Sequence, residues 1–366
     1  MSKRIKVSIL VPCYNVQEYL SQCLDSLINQ TLKEIEIIAI NDGSTDNTLQ
    51  ILQDYAARDE RIIIIDKPNE GYGKSMNRGL KEAHGKYIGI VESDDWAELD
   101  MFQELYELAE KNQVQAVKSA FYNYANGKSE KQEFLAASEL DRVVDPKTDS
   151  SIFYYQPSIW SALYVRAFLE KYQIDFLESP GASYQDVGFN FKVWAMADRV
   201  WFTPRAFIHY RNDNAGSSVK SKGKVFCVCD EWENVETYLE KYPHLKECSA
   251  CLRSHVKLGN YMWNLHRLEG KAQEAFRKRF AQEYAKLLCE KTLKRDCIST
   301  QGWLKMMRVL FPDSLKWKTL YWVQKITRPI ITDVIKHNRK YWKVCFGLLP
   351  VRSVSAQAPS FVGEYK

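Results

Sequence analysis

The chain has no apolar run long enough to cross a bilayer, no low-complexity tract and no repeat at a fixed period. Met1–Ile5 leads straight into a β-branched run with no apolar leader between, so cytoplasmic residence is the expectation. Cysteine does not form a framework: there are nine, an odd number, in 366 residues. Cys227/Cys229 and Cys248/Cys251 have zinc-like spacing, but helical sequence without a glycine knuckle favours small core residues over a metal site. Two glycine signatures are also missing. Pro12-Cys13-Tyr14-Asn15 follows the first apolar run where a dinucleotide dehydrogenase needs G-x-G-x-x-G. Gly73-Lys74-Ser75 supplies the end of a P-loop, but Pro68 stands in the place of its first glycine.

What is present is ordinary for a folded protein: 45% hydrophobic and 27% charged residues. Charge is unevenly distributed. Residues 301–350 hold ten Lys or Arg against Asp313 and Asp333, a balance of +8 in a chain of +5, so the remainder is net acidic.

The first hundred residues alternate between two periods. Lys6–Val11, Ile35–Ile40, Ile62–Asp66 and Tyr87–Val91 read as strands. Val16–Asn29, Thr45–Ala57 and Lys74–Ala83 read as helices, the second entered through capping residues that include Asp46. Strands apolar throughout and separated by helices imply an α/β fold, a mainly parallel sheet covered on both faces. Ligands of such sheets bind beyond the carboxyl ends of the strands. Those ends here are 12–15, 41–44, 66–69 and 92–95, and three of the four carry acids. Glu92-Ser93-Asp94 sets two acids on one side of a turn, an arrangement that can hold a divalent ion between phosphates. The competing reading is a solvated loop, or the cap of a helix over Trp96–Ala109, where Asp95 suits the capping role.

VSILVPCYN, NDGSTDNT, NEGYGKSMNRGL and GKYIGIVESDDW, in this order over residues 6–96, resemble the motifs of family 2 glycosyltransferases with the GT-A fold. Weaker similarity continues to about residue 218 through IWSALYVRAFL, SYQDVGFNFKVW and HYRNDNAGSS. The resemblance implies a catalytic domain over 1–218, with 1–96 binding a nucleotide-sugar and 97–218 binding the acceptor. It implies that Pro12 and Tyr14 flank the base and that Asp42 accepts its imino hydrogen bond. Lys74 and Asn77 would lie near ribose or phosphate, at a helix N-terminus suited to an anion. Glu92 and Ser93 would face the donor, with Glu92 one methylene longer than the family's usual Asp. Asp94 would bind Mn or Mg.

An inverting transfer also needs a base for the acceptor hydroxyl. The family's acidic motif reads Tyr184-Gln185-Asp186-Val187 here, with Gln where Glu is common, so Asp186 is the expected base. A helix N-terminus there would favour its ionised form; Asp175 and Glu178 are alternatives. Trp160 is expected at the acceptor, or in the core. His209 is expected to complete the metal shell or to fill the space behind it. Arg211, Ser217 and Ser218 are expected at the diphosphate, the two serines on a loop that closes over it.

Residues 219–350 read as a helical region and 351–366 as a disordered tail. The cations of 301–350 interleave with Trp303, Phe311, Trp317, Tyr321, Trp322, Tyr341, Trp342 and Phe346. That pattern suits a peripheral helix on an anionic membrane surface, where lipid-linked acceptors lie. It equally suits a helical subdomain packed on the catalytic domain or on a partner chain, as in a homo-oligomer. No nucleic-acid motif accompanies the charge. The expectation is a glycosyltransferase that moves a sugar from a UDP-sugar to a glycan or lipid-linked acceptor in bacterial surface polysaccharide synthesis. The alternatives are a nucleotidyltransferase or a non-catalytic glycan- or membrane-binding protein.

Overall fold

A computed structural model describes residues 4–132, 140–214, 224–290, 292–293 and 295–314. The chain divides into two compact units, the first ending at Tyr242 and the second opening at Pro243.

The first unit contains strands β1 (Val7–Cys13), β2 (Ile35–Asp42), β3 (Ile62–Lys67), β4 (Tyr87–Ile90), β5 (Trp96–Ala97), β6 (Ala116–Ala125), β7 (Lys128–Gln132), β8 (Val143–Val144), β9 (Ala162–Val165) and β10 (Val200–Arg211). Its helices are α1 (Leu20–Ile28), α2 (Thr48–Ala56), α3 (Tyr72–Glu82), α4 (Met101–Asn112), α5 (Arg166–Tyr172), α6 (Gln185–Met196) and α7 (Cys227–Leu239). The sheet runs β3-β2-β1-β4-β9-β6-β10-β5, with β7 added to β6 and β8 to β10. The first four strands are parallel, as are β6 and β10, and β9 joins the two sets by pairing antiparallel with β4 and β6. Every residue of β1 and β2 is buried, which explains their lack of polar alternation. β4 pairs with β1 only as far as Leu10, so Pro12 lies where β1 retains one ladder partner and its missing N–H costs little.

The structure corrects one element. Residues 96–109 are not a single helix: Trp96–Ala97 pairs antiparallel with His209 and Ile208 of β10, and α4 begins only at Met101. Asp95 is therefore no helix cap but a buried residue between two strands. The first unit also extends past 218, because α7 packs on α6, with the Phe191 and Trp232 rings 5.3 Å apart.

The second unit holds α8 (Pro243–Cys248), α9 (Ala250–Arg267), α10 (Gly270–Cys289) and α11 (Thr300–Leu310). Tyr261, Phe276, Phe280 and Tyr284 form its aromatic core. Cys251 is not a free core thiol as its helical context implied: it is disulfide-bonded to Cys297. Among the described residues no helix is long and apolar enough to cross a membrane. Most of the basic stretch, residues 315–350, and the tail 351–366 lie outside the described residues.

Candidate active site

β4 runs into a tight turn over 92–95, closed by the Asp95 N–H donating to the Glu92 carbonyl at 3.0 Å. The end of β10 wraps this turn. The Arg211 main-chain N–H donates to Asp95 Oδ1 at 2.8 Å, and its Nε donates to the Asp94 carbonyl at 2.8 Å. Asn214 Nδ2 donates to Asp94 Oδ2 at 2.7 Å. The other Asp94 oxygen takes no hydrogen bond among the described residues. Burial pushes the Asp95 carboxyl well above the usual carboxylate range, and its Oδ2 is buried without a hydrogen-bond partner among the described residues. Glu92 accepts the Tyr72 hydroxyl at 2.7 Å. Burial pushes Glu92 up to about 8; the tyrosine opposes this, and the charges of Asp94 and Asp186 add to it.

Asp186 comes from the other half of the sheet, in the first turn of α6. Its Oδ1 accepts the Val187 N–H at 2.9 Å. A helix N-terminus contributes about 0.3–1 kcal/mol to a carboxylate, less than one pH unit. Burial acts more strongly and raises Asp186 from 3.8 to about 6, so it is ionised at neutral pH yet more basic than an ordinary aspartate. The charge of Asp186 also raises Tyr72, Glu92 and Tyr210, so it lies near the 92–95 turn. Two acids from opposite halves of the fold thus converge on one site.

The other expected residues divide. Tyr14 is half-exposed (51%), its ring open beside buried Pro12. Ser93 is buried against Cys13. Lys74 is exposed and paired with Glu70 at 3.1 Å. It lines a cleft of about 370 Å³ beside α3 with Lys67, Asn77, Arg78 and Glu178. Trp160 is buried and stacks on Tyr210, with centroids 4.9 Å apart and planes 9° apart. It thus packs against a ring, Tyr210, on which the charges of Asp95, Asp94, Asp186 and Glu92 act.

Four expectations change. The Asp42 carboxylate accepts Lys67 Nζ and the main-chain N–H groups of Glu70 and Gly71, which makes it the anchor of the 68–71 loop. Asn77 grips Phe176 through both main-chain groups, at 2.9 and 3.0 Å, so its amide braces α3 and does not reach toward a donor. Arg211 is boxed by Tyr19, Trp96 and Tyr124 and bonded to the turn and to Gln22, so it fixes Asp94 in place and is no free diphosphate clamp. His209 is held in place by neighbouring side chains. It stacks between Trp96 and Tyr122, with Nε2 2.8 Å from Glu98 and Nδ1 2.7 Å from Ser129. Its strand neighbour Tyr210, on the other face of β10, feels the charges of Asp95, Asp94, Asp186 and Glu92. Ser217 and Ser218 lie outside the described residues.

The glycine-rich loop also has a different use. A Cβ on Gly73 would lie 2.0 Å from the Leu177 carbonyl oxygen, and one on Gly71, at φ 95°, 2.7 Å from that of Ser179. The first N–H of α3, on Tyr72, donates to the Gly181 carbonyl at 3.1 Å. These glycines admit the 177–181 segment, and that segment occupies the helix N-terminus expected to receive an anion. Tyr72, Tyr210 and Asn214 were missed by the sequence reading; only Tyr210 had a signal, its alternation with His209.

Residues 8–162 match the family model described as "Glycosyl transferase family 2". The chain is similar to "Uncharacterized glycosyltransferase EpsJ" of Bacillus subtilis (strain 168), 36% identical over 224 residues, 59% of this chain and 64% of that protein. It is also similar to "Glycosyltransferase GlyA" of Streptococcus pneumoniae serotype 4, 32% identical over 217 residues, 56% of this chain and 30% of that protein. The chain therefore spans less than two thirds of either relative's length. Among solved structures, S. aureus TarS in complex with UDP-GlcNAc superposes with a TM-score of 0.51 at 20% identity, covering 77% of this chain and 87% of that one. This likeness identifies the fold as GT-A-like.

Proposed function

We propose, from the premise that residues 8–162 are a family 2 glycosyltransferase domain of GT-A-like fold, that this chain transfers a sugar from a nucleotide-sugar to an acceptor hydroxyl with inversion. One observation carries the reading: Asp186, at the head of α6, lies near enough to the turn after β4 for its charge to raise Glu92. The carrier proposed is uridine diphosphate, the nucleotide of the TarS complex. The proposed acceptor is a glycan or lipid-linked glycan of a bacterial surface polysaccharide.

A divalent Mn or Mg ion fits the donor set. Asp94 offers a hard carboxylate oxygen with no hydrogen bond among the described residues, and Asn214 steadies the other. Among the described residues no three His, Cys, Asp or Glu side chains could hold an ion by themselves. The ion would therefore take its remaining ligands from diphosphate and water, as Mg commonly does at phosphates. When bound, it would neutralise charge on the leaving diphosphate.

The protein's own groups do the rest. Asp186 accepts the proton of the acceptor hydroxyl as its oxygen bonds to the anomeric carbon and the bond from that carbon to the diphosphate oxygen breaks. Glu92, held by the Tyr72 hydroxyl, faces the sugar or ribose. The exposed Tyr14 ring stacks on the base, and Tyr210 over Trp160 supports the acceptor sugar. The basic, aromatic stretch 301–350 would hold the enzyme on the anionic inner face of the cell membrane.

Calorimetry with UDP, with and without Mn, and a donor-hydrolysis screen test the reading. Expected are Mn-dependent binding lost in Asp94→Ala, and transfer lowered about 10²–10⁴-fold in Asp186→Asn. Metal-independent binding together with full activity in either variant sinks it.

A further inference from the structure

Gln185 stands where the family resemblance leads one to expect Glu, and the structure gives the amide a use that a carboxylate cannot copy. The residue is buried, 2% exposed, at the start of α6. Its Nε2 donates to Ser179 Oγ at 2.9 Å and to the Gly181 carbonyl at 3.2 Å, while its Oε1 accepts the Ser183 N–H. One side chain thus ties three residues of the 179–183 loop. The same Gly181 carbonyl accepts the Tyr72 N–H of α3, and the Tyr72 hydroxyl donates to Glu92. A continuous chain of contacts runs from the residue beside the base to the acid turn. An ionised carboxylate has no donor, so Glu at this position would leave the Gly181 oxygen facing a negative oxygen.

We propose that Gln185 is a positioning residue: its neutral amide holds the loop that sets Asp186 against the 92–95 turn, and its lack of charge leaves Asp186 as the sole ionised acid of α6's first turn. This rests on the transferase reading. Asp186 is faced by Glu92 from the β4 turn, Tyr72 from α3, Tyr210 from β10 and Glu231 from α7. A second acid in the first turn adds to that set. In Gln185→Glu the new carboxyl keeps one donor when protonated; ionised, it keeps none and repels the Asp186 carboxylate. That repulsion raises the Asp186 midpoint, so less of the base is ionised at low pH and the defect of Gln185→Glu is largest on the acid side.

The test compares wild type, Gln185→Glu and Ser179→Ala. For Gln185→Glu, kcat falls about twentyfold at pH 5.5 and about fourfold at pH 7.5, with KM for the donor little changed. Ser179→Ala, which removes one acceptor and adds no charge, lowers kcat about threefold at both values. Selective ¹³C labelling of Asp carboxyls, assigned with Asp186→Asn, gives an Asp186 midpoint about one pH unit higher in Gln185→Glu. A pH-independent defect with an unmoved midpoint means that Gln185 only stiffens the loop, and overturns the proposal. Should Gln185→Glu fail to fold, unchanged kcat in Ser179→Ala overturns it. Should wild type act on no nucleotide-sugar, the transferase reading fails by itself, and the Asp186 midpoint alone decides the role of Gln185.

Discussion

Tyr72 Oη lies 2.7 Å from Glu92 Oε1, joining the glycine loop before α3 to the acid turn after β4. Glu92 is long enough to make this contact, and that gives its extra methylene a physical use. Tyr72→Phe removes the donor and leaves the buried carboxyl without it. The tyrosine lowers the Glu92 pKa, so its loss pushes Glu92 above about 8. The expected cost is about 1–3 kcal/mol of stability, read by urea denaturation at pH 7. An unchanged midpoint would mean that water replaces the phenol.

Among the described residues, Asn214 is the one side chain that grips the Asp94 carboxylate. Groups of this kind orient a ligand without touching the ion. Asn214→Ala should weaken Mn-dependent UDP binding about ten- to a hundredfold and leave metal-free binding alone. His209→Ala, by contrast, should leave Mn affinity as it is, because that ring is held by Glu98 and Ser129. Calorimetry on both variants separates the two positions.

Glu231 is buried on α7, both carboxyl oxygens lack a hydrogen bond among the described residues, and burial raises it from 4.5 to about 9. The folded chain binds this proton more tightly than the unfolded chain, so its contribution is fully present below about 4.5 and is lost as pH rises toward 9. Stability should fall with rising pH across that window, by up to about 1.4 kcal/mol per unit from this group. Glu231→Gln should flatten the slope. Denaturation at pH 5.5, 7 and 8.5 measures it, and an equal slope in both proteins contradicts the assignment.

Gly73→Ala forces a methyl to within 2.0 Å of the Leu177 carbonyl oxygen. Backbone on both sides gives little room, so a loss of about 1–3 kcal/mol or more is expected. A thermal melt checks it; a Tm within about one degree of wild type would show that the 177–181 segment can retreat freely.

The first four strands and their ends were legible because their signals are local. An apolar run ending in Asn-Asp-Gly or Glu-Ser-Asp places its last residues at a strand's carboxyl end without long-range information. Asp186 was legible for the same reason, at the head of a helix. Asn77, Arg211 and Asn214 were not, because their partners lie about a hundred residues away in sequence and are chosen by packing. Gly71 and Gly73 look like a phosphate cradle in sequence; only the fold reveals a neighbouring segment in that space. The break at 96–97 was missed because two residues are too few to carry a period.

The place of β9 between β4 and β6 bears on how the chain is made. Strands β1 to β4 are complete by residue 90, but the ladder partner on β4's far side does not emerge until residue 162. For about seventy residues of synthesis a buried strand, Tyr87–Ile90, has an open edge. Such an edge invites pairing with another chain. The late strand closes the seam and joins the two halves in one step, so chains truncated before 162 should be prone to aggregation on the ribosome.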